Sequence, residues 1–541
     1  MKNRILLVII ITIAAFIRLY NLNSYPAGLN ADEAAIGYNA YSLLQTGLDE
    51  HGNRWPVNFK SFGDYKPGGY FYLVLPFVKL MGLTELAVRL PSALLGILAV
   101  LLIFLLVKEL FDNDNLALIA SLFLTFSPWH IHFSRGGWES NVATTLLLLG
   151  TWLFVRGLKN NIYFIFSSLS FIASMYTYHS ARVIAPLLVL ALAFSFYKRV
   201  KPFLKTKMFV AILLLSLIFS GPLIFSLFSS EASSRFSGVG FTADTGPLWR
   251  VNELRGQHTN WNDFKVVILH NKIVAYFTAF LSNYFDHFQG NFLFINGEIV
   301  NRNRIPETGQ MHLFDIPFFF LGIYFFIKNR PKNWGIIFLW LAIAPIASAL
   351  TFQTPNAIRA HNLVIPLVII SAYGLWNSLQ WVKTKNSLIA ILLYCYIAIL
   401  LPWSVTRYFH QYFVHYLKTY PEAWEYGFKE LVAYLKPLEN NYDKIYITDK
   451  YDQPYILFLF YLKYPPEKFQ QEVVLTPRDK FGFSTVEDFS NFHFDSINWD
   501  LLKEEKNILV AGTEEEIPKG VPVIKTIYFP NNKIAFKIVR L

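Results

Sequence analysis

Five short stretches of this 541-residue chain carry side chains able to move a proton or hold an anion. The first, GLNADEAAIGYNAY at residues 28–41, sets Asp32 beside Glu33 a few residues after an apolar run. A carboxylate fixed at such a boundary can take a proton from a hydroxyl as a general base. The second, FGDYKPGGYFYL at 62–73, places Asp64 and Lys66 ahead of a Pro-Gly-Gly turn. A lysine at headgroup depth is a natural partner for a lipid phosphate. The third, HFSRGGWESN at 132–141, has Arg135 and Glu139 on either side of a Gly-Gly pair, which argues for a tight turn. TPNAIRAHNLVIP at 354–366 supplies Arg359, and FDHFQGN at 285–291 supplies His287.

Each stretch also has a plainer reading. Asn30 followed by Asp32 and Glu33 suits a capped helix whose first turn favours acids. Lys66 can snorkel to the membrane interface, and Arg135 can pair with Glu139 across one helical turn. A lone loop histidine is more often structural than a ligand. Convergence is what raises the chemical reading: all five stretches fall at the same ends of the apolar runs that position them.

Those runs dominate the chain. Hydrophobic residues make up 54% and charged residues 16%, with mean hydropathy +0.35. Stretches such as LPSALLGILAVLLIFLLV are of membrane-spanning length and recur throughout. Spans are expected near 5–20, 88–107, 116–133, 139–156, 161–178, 183–197, 208–228, 314–328, 334–351, 361–380 and 387–403. The net charge of +11 comes from Lys and Arg gathered in alternate short connections, the positive-inside pattern, so no nucleic-acid partner is expected. Eleven spans with a cytoplasmic N-terminus place the C-terminus outside. The predicted organisation is therefore a polytopic α-helical membrane module over 1–403, in the cell membrane. It carries outer loops at 21–87 and 229–313. GYFYLVLPFVKLMG is too short to span and is read as a re-entrant or interfacial helix.

After Pro402 the composition changes. EAWEYGFKELVAYL reads as an amphipathic helix, DKIYITD and NILVAG as buried strands, and VIKTIYFPNNKIAFKIVRL as a hairpin turning at Asn531-Asn532. Residues 404–541 are expected to form an extracytoplasmic α/β domain. Two motifs are decoys. FDNDN at 111–115 has the spacing of a metal-nucleotide motif but sits in a turn too short for a pocket, so a helix cap is expected. SGVGF at 237–241 lacks a preceding strand and a following helix and is read as a loop. The single cysteine, Cys395, excludes a disulfide within the chain.

With these pieces in order, the chain resembles the C-type (GT-C) membrane glycosyltransferases that use lipid-linked sugars. It is most similar to the bacterial branch containing protein O-mannosyltransferases and the aminoarabinose transferases of lipid A. The resemblance covers roughly residues 5–380. It rests on NADEAAIGYNAYSLL, GDYKPGGYFYL, LAVRLPSALLGILAVLLIFLL, SRGGWES, NFLFINGE and PNAIRAHNLVIP. It implies that Asp32 is the catalytic base, that Lys66 and Arg359 face the donor phosphate, and that Arg135 and Glu139 organise the site. For the chemistry itself, Asp64, Glu33 and Glu139 are cast as acceptors of sugar hydroxyls or orienters of Lys66 and Arg135, and His287 as a further substrate-binding group. The implied reaction moves a sugar from a polyprenyl-phosphate donor to a hydroxyl of a lipid, polysaccharide or protein acceptor, with inversion. The chain departs from the pattern at Tyr65, where lipid A transferases have a metal-associated glutamate, and at Gly68, where a second proline is usual. No metal or other cofactor is expected. A transporter or flippase of lipid-linked sugars is the competing class, but it calls for repeated halves and mid-membrane ionisable residues, which are not evident here. A non-catalytic scaffold leaves Asp32, Lys66 and Arg359 without a role.

Overall fold

The computed structural model describes residues 1–62, 64–226, 244–383, 387–478 and 484–541; SGVGF lies outside them. Among the described residues, each expected span lies mostly on helix, with breaks at Ser127, Phe196 and residues 344–345. The N-terminal half contains α1 (Lys2–Leu19), α2 (Ala31–Thr46), α3 (Gly69–Met81), α4 (Glu85–Phe111), α5 (Asp114–Phe126), α6 (Pro128–Ser134) and α7 (Glu139–Gly157). It continues through α8 (Ile162–Thr177), α9 (Ala181–Ser195), α10 (Tyr197–Phe203) and α11 (Lys207–Ser226). Ile316–Asn329, Gly335–Ile343, Val364–Val382 and Ser387–His410 complete the set.

By length and apolarity, five described helices can each cross a bilayer, or seven if the bent pairs α5–α6 and α9–α10 count as single spans. One of the five, Phe264–Ile295, falls inside the stretch expected to be an outer loop. Lys272, Asn283, Asp286, His287 and Gln289 interrupt its apolar residues, which hid its helical length from a reading based on continuous hydrophobicity. The FDNDN turn caps α5: Asn113 accepts the Leu116 N–H at 3.0 Å, and Lys108 lies 2.9 Å from Asp114.

The chain forms two compact units. One comprises residues 1–14, 98–130 and 140–405. Its tightest crossing joins Ile316–Asn329 to Val364–Val382. A methyl on Gly322 would collide with the Ile370 carbonyl, and one on Gly374 with the Phe318 carbonyl. Small residues permit this backbone approach between apolar helices, and Phe314, Phe318 and Leu375 pack nearby.

The other unit comprises residues 15–97, 131–139 and 406–541. Its N-terminal part holds α2, a hairpin of β1 (Asn58–Ser61) and β2 (Asp64–Pro67), and α3. Its C-terminal part is a mixed seven-stranded sheet. The strands are β3 (Lys444–Ile447), β4 (Val474–Leu475), β5 (Val486–Phe489), β6 (Phe492–Phe494), β7 (Ile508–Gly512), β8 (Val523–Tyr528) and β9 (Ile534–Arg540). Their order is β4-β5-β6-β3-β7-β9-β8, with β3 parallel to β6 and β7. The two buried-strand segments read from sequence are β3 and β7. The hairpin is β8–β9, turned by Asn532 at φ 64°. Helix α2 is tied to this part by the Tyr38 hydroxyl, which donates to the Tyr464 carbonyl at 3.1 Å.

Candidate functional site

Asn30 starts the site. Its side-chain oxygen accepts the Glu33 N–H at 3.0 Å, capping α2 and fixing the direction in which Asp32 and Glu33 leave the backbone. The two acids then separate. Asp32 forms an ion pair with Lys66, delivered from β2 thirty-four positions later; side-chain exposures are 23% and 16%. Both groups are thus partly reachable, and the ammonium also lies over the Phe62 ring.

Glu33 turns inward and is 1% exposed. Its oxygens accept from Arg89 Nε and Nη2, each at 2.9 Å, and from the Gly137 N–H at 2.7 Å. The remaining Arg89 donors meet the carbonyls of Pro26 at 2.7 Å, Leu22 at 3.3 Å and Gly28 at 2.5 Å. Glu33 was expected to receive a sugar hydroxyl or to orient Lys66 and Arg135. Its lone pairs are instead spent inside the protein. Sequence reasoning gave Arg89 no role, although an arginine within an apolar run was itself a signal.

Arg135 is fully buried too. It donates to the carbonyls of Ile17 at 2.6 Å, Tyr20 at 2.8 Å and Tyr25 at 3.2 Å, and to the Tyr412 hydroxyl at 3.2 Å. The Gly-Gly turn that follows carries the Gly137 N–H to Glu33, which explains why that segment is not regular helix. Glu139 opens α7 and is 6% exposed. Asp64, at the start of β2, accepts the Tyr65 N–H at 2.7 Å. Beyond α2, Glu50 is 1% exposed, accepts from Asn39 Nδ2 at 3.1 Å, and stands 3.6 Å from His51 Nε2. Burial pushes the Glu50 carboxyl up to about 8, and the same burial pushes the His51 imidazole down to about 4. Burial thus works against the charged form of both groups.

His287 and Arg359 belong to the first-described unit. His287 is fully buried: Nδ1 lies 2.8 Å from the Asn283 carbonyl, while Nε2 accepts the Asn356 N–H at 3.2 Å and meets Ser348 Oγ at 2.7 Å. This arrangement fixes a neutral tautomer with Nδ1 protonated. The ring is a structural anchor: both nitrogens are engaged within the protein, contrary to the expectation that His287 binds substrate. Arg359 is half-buried, with Nη1 donating to Thr351 Oγ1 at 2.7 Å and to the Phe352 carbonyl at 3.1 Å. Among the described residues, Glu487, Asp488 and His493 have ligating atoms within 4.8 Å of one another. His493 Nδ1 is already 2.7 Å from Asp488, and the Lys444 ammonium is 3.5 Å from the same carboxylate oxygen.

Residues 65–225 match the family described as dolichyl-phosphate-mannose-protein mannosyltransferase. No curated protein sequence matches significantly. The whole chain superposes on ArnT from Cupriavidus metallidurans in the apo state. The TM-score is 0.54 at 10% identity, covering 99% of this chain and 97% of the other. The chain shares the C-type (GT-C) glycosyltransferase fold. ArnT bound to undecaprenyl phosphate matches similarly, with TM-score 0.53, 11% identity and the same coverage. The archaeal oligosaccharyltransferase AglB from Archaeoglobus fulgidus, in complex with an inhibitory peptide and a dolichol-phosphate, matches with TM-score 0.48 and 12% identity. That match covers 85% of this chain, which spans 63% of the archaeal protein. With the fold of ArnT and its described helices long and apolar enough to cross a bilayer, the chain is a multi-pass membrane protein with a C-terminal sheet domain.

Proposed function

We propose that the protein transfers a sugar from a polyprenyl-phosphate donor to an acceptor hydroxyl at the outer face of the membrane, with inversion. Asp32 removes the acceptor's proton as the hydroxyl attacks the anomeric carbon. Lys66 and Arg359 hold fixed positive charge for the leaving phosphate, where such charge lowers the barrier most in a partly dehydrated site. The observation that carries this reading is the Asp32–Lys66 pair. It joins the two residues the chemistry needs while leaving both partly accessible, whereas adjacent Glu33 is sealed off. The undecaprenyl phosphate bound by ArnT, which shares the fold, supports a lipid-phosphate donor. The residues do not fit the metal associated with lipid A transferases: Tyr65 replaces the glutamate and the His287 nitrogens are occupied, so no step uses a metal. Protein, lipid and polysaccharide all fit as acceptors. The test is to incubate purified protein with a panel of polyprenyl-phosphate sugars and follow loss of each donor. One or more donors should be consumed by the wild type and spared by Asp32→Asn; consumption of none would overturn the transferase reading.

A further inference from the structure

The segment TPNAIRAHN presents Arg359, and a buried carboxylate takes two of its N–H groups. Glu298, in the NGE of NFLFINGE, is 2% exposed. Its Oε2 accepts the Ala357 N–H at 2.7 Å and its Oε1 accepts Asn356 Nδ2 at 3.0 Å. Asn303 Nδ2 spans both oxygens at 3.1 and 3.2 Å. Asn356 passes the constraint on, because its Oδ1 accepts the Arg359 N–H at 2.9 Å. Its own N–H goes to His287, and Thr354 Oγ1 donates to Asn283 or Asp286, each at 3.1 Å. On the far side, Trp129 Nε1 donates to the Ala357 carbonyl at 3.0 Å.

We infer that Glu298 is a positioning residue that sets the Arg359 guanidinium for a lipid phosphate, acting through Asn356 and Ala357. The inference rests on the phosphate role proposed for Arg359. A carboxylate accepting backbone and amide N–H groups imposes direction as well as attachment. Burial pushes the Glu298 carboxyl up to about 7, against the Ala357 N–H, Asn303 and the charges of Arg359 and Arg302. Despite that burial, each contact to its oxygens comes from an N–H donor, so both oxygens act as acceptors, an arrangement that packing alone would not require. Glutamine there offers one acceptor and turns an NH2 toward an N–H, so Glu298→Gln keeps the volume and breaks the clamp.

The experiment measures binding of undecaprenyl phosphate, with undecaprenol as the phosphate-free control, to detergent-purified wild type, Glu298→Gln, Arg359→Ala and the double variant. Thermal melts run alongside. Arg359→Ala should weaken undecaprenyl phosphate about 10-fold or more, and Glu298→Gln about 10-fold, with undecaprenol unaffected. In the Arg359→Ala background, Glu298→Gln should add nothing, a non-additivity that general destabilisation would not produce. If Glu298→Gln fails to fold, Asn356→Ala should give the same coupled loss. Weakened binding by Arg359→Ala with normal or simply additive binding by Glu298→Gln (or by Asn356→Ala in its place) overturns the inference and leaves the phosphate reading standing. Normal binding by Arg359→Ala overturns that reading and the inference together.

Discussion

The Glu33 carboxylate and the Arg89 guanidinium face each other in a two-point ion pair, Nε to Oε1 and Nη2 to Oε2, each 2.9 Å long and closed to solvent. Because Arg89 also gathers the carbonyls of residues 22, 26 and 28, it ties the end of the first span to the helix that carries Asp32. Removing one partner strands the other charge, at a cost of about 3–5 kcal/mol. Arg89→Met should therefore lower the melting temperature sharply in detergent. Lysine cannot restore the fork, so Arg89→Lys should recover little. A wild-type melting curve for either variant would refute the structural role.

Asp32→Asn is nearly isosteric and leaves the Asn30 cap in place, so folding should survive. Transfer should fall at least about 10²-fold, the lower end for loss of a general base. Glu33→Gln should differ in kind, lowering thermal stability together with activity. Near-normal transfer by Asp32→Asn would remove it as the base.

Transfer without a metal is the outcome expected from Tyr65 and His287. With a tyrosine at the first position and both imidazole nitrogens engaged at the second, exhaustive chelation should leave transfer unchanged. Activity lost on chelation and restored only by a divalent ion would contradict this.

Glu50 makes stability depend on pH. Its folded value of about 8 lies above the ordinary glutamate range, with burial the main cause. The stability contributed by the neutral form is fully present below about 4.3 and is lost as pH rises toward 8, at up to about 1.4 kcal/mol per pH unit. Glu50→Gln keeps an acceptor for Asn39 and removes the titration. Its melting temperature should match wild type near pH 4 and exceed it at pH 8. Parallel curves across that range would show that Glu50 stays charged.

Orientation is open to chemical labelling. The proposed topology puts residues 404–541 outside. In a Cys395→Ser background, a cysteine replacing exposed Lys519 should react with an impermeant thiol reagent in intact cells. Labelling only after lysis would reverse the orientation.

Local information in the chain was enough for the helices under every apolar run, the Asn30 cap, the Asn113 cap and the β8–β9 hairpin, because each depends on neighbours a few residues apart. The acidic pair and Lys66 could also be nominated from residue type and boundary position. Only the folded chain decided which acid meets which cation. Asp32 and Lys66 are separated by 34 positions, Glu33 and Arg89 by 56, and Glu298 and Ala357 by 59. No periodicity links residues so far apart, and a buried charge looks the same in sequence as a reactive one. Burial is what separates them: enclosing a carboxylate demands that its hydrogen bonds be met inside the protein. That requirement took Glu33, Arg135 and His287 into the framework and left Asp32 and Lys66 partly open.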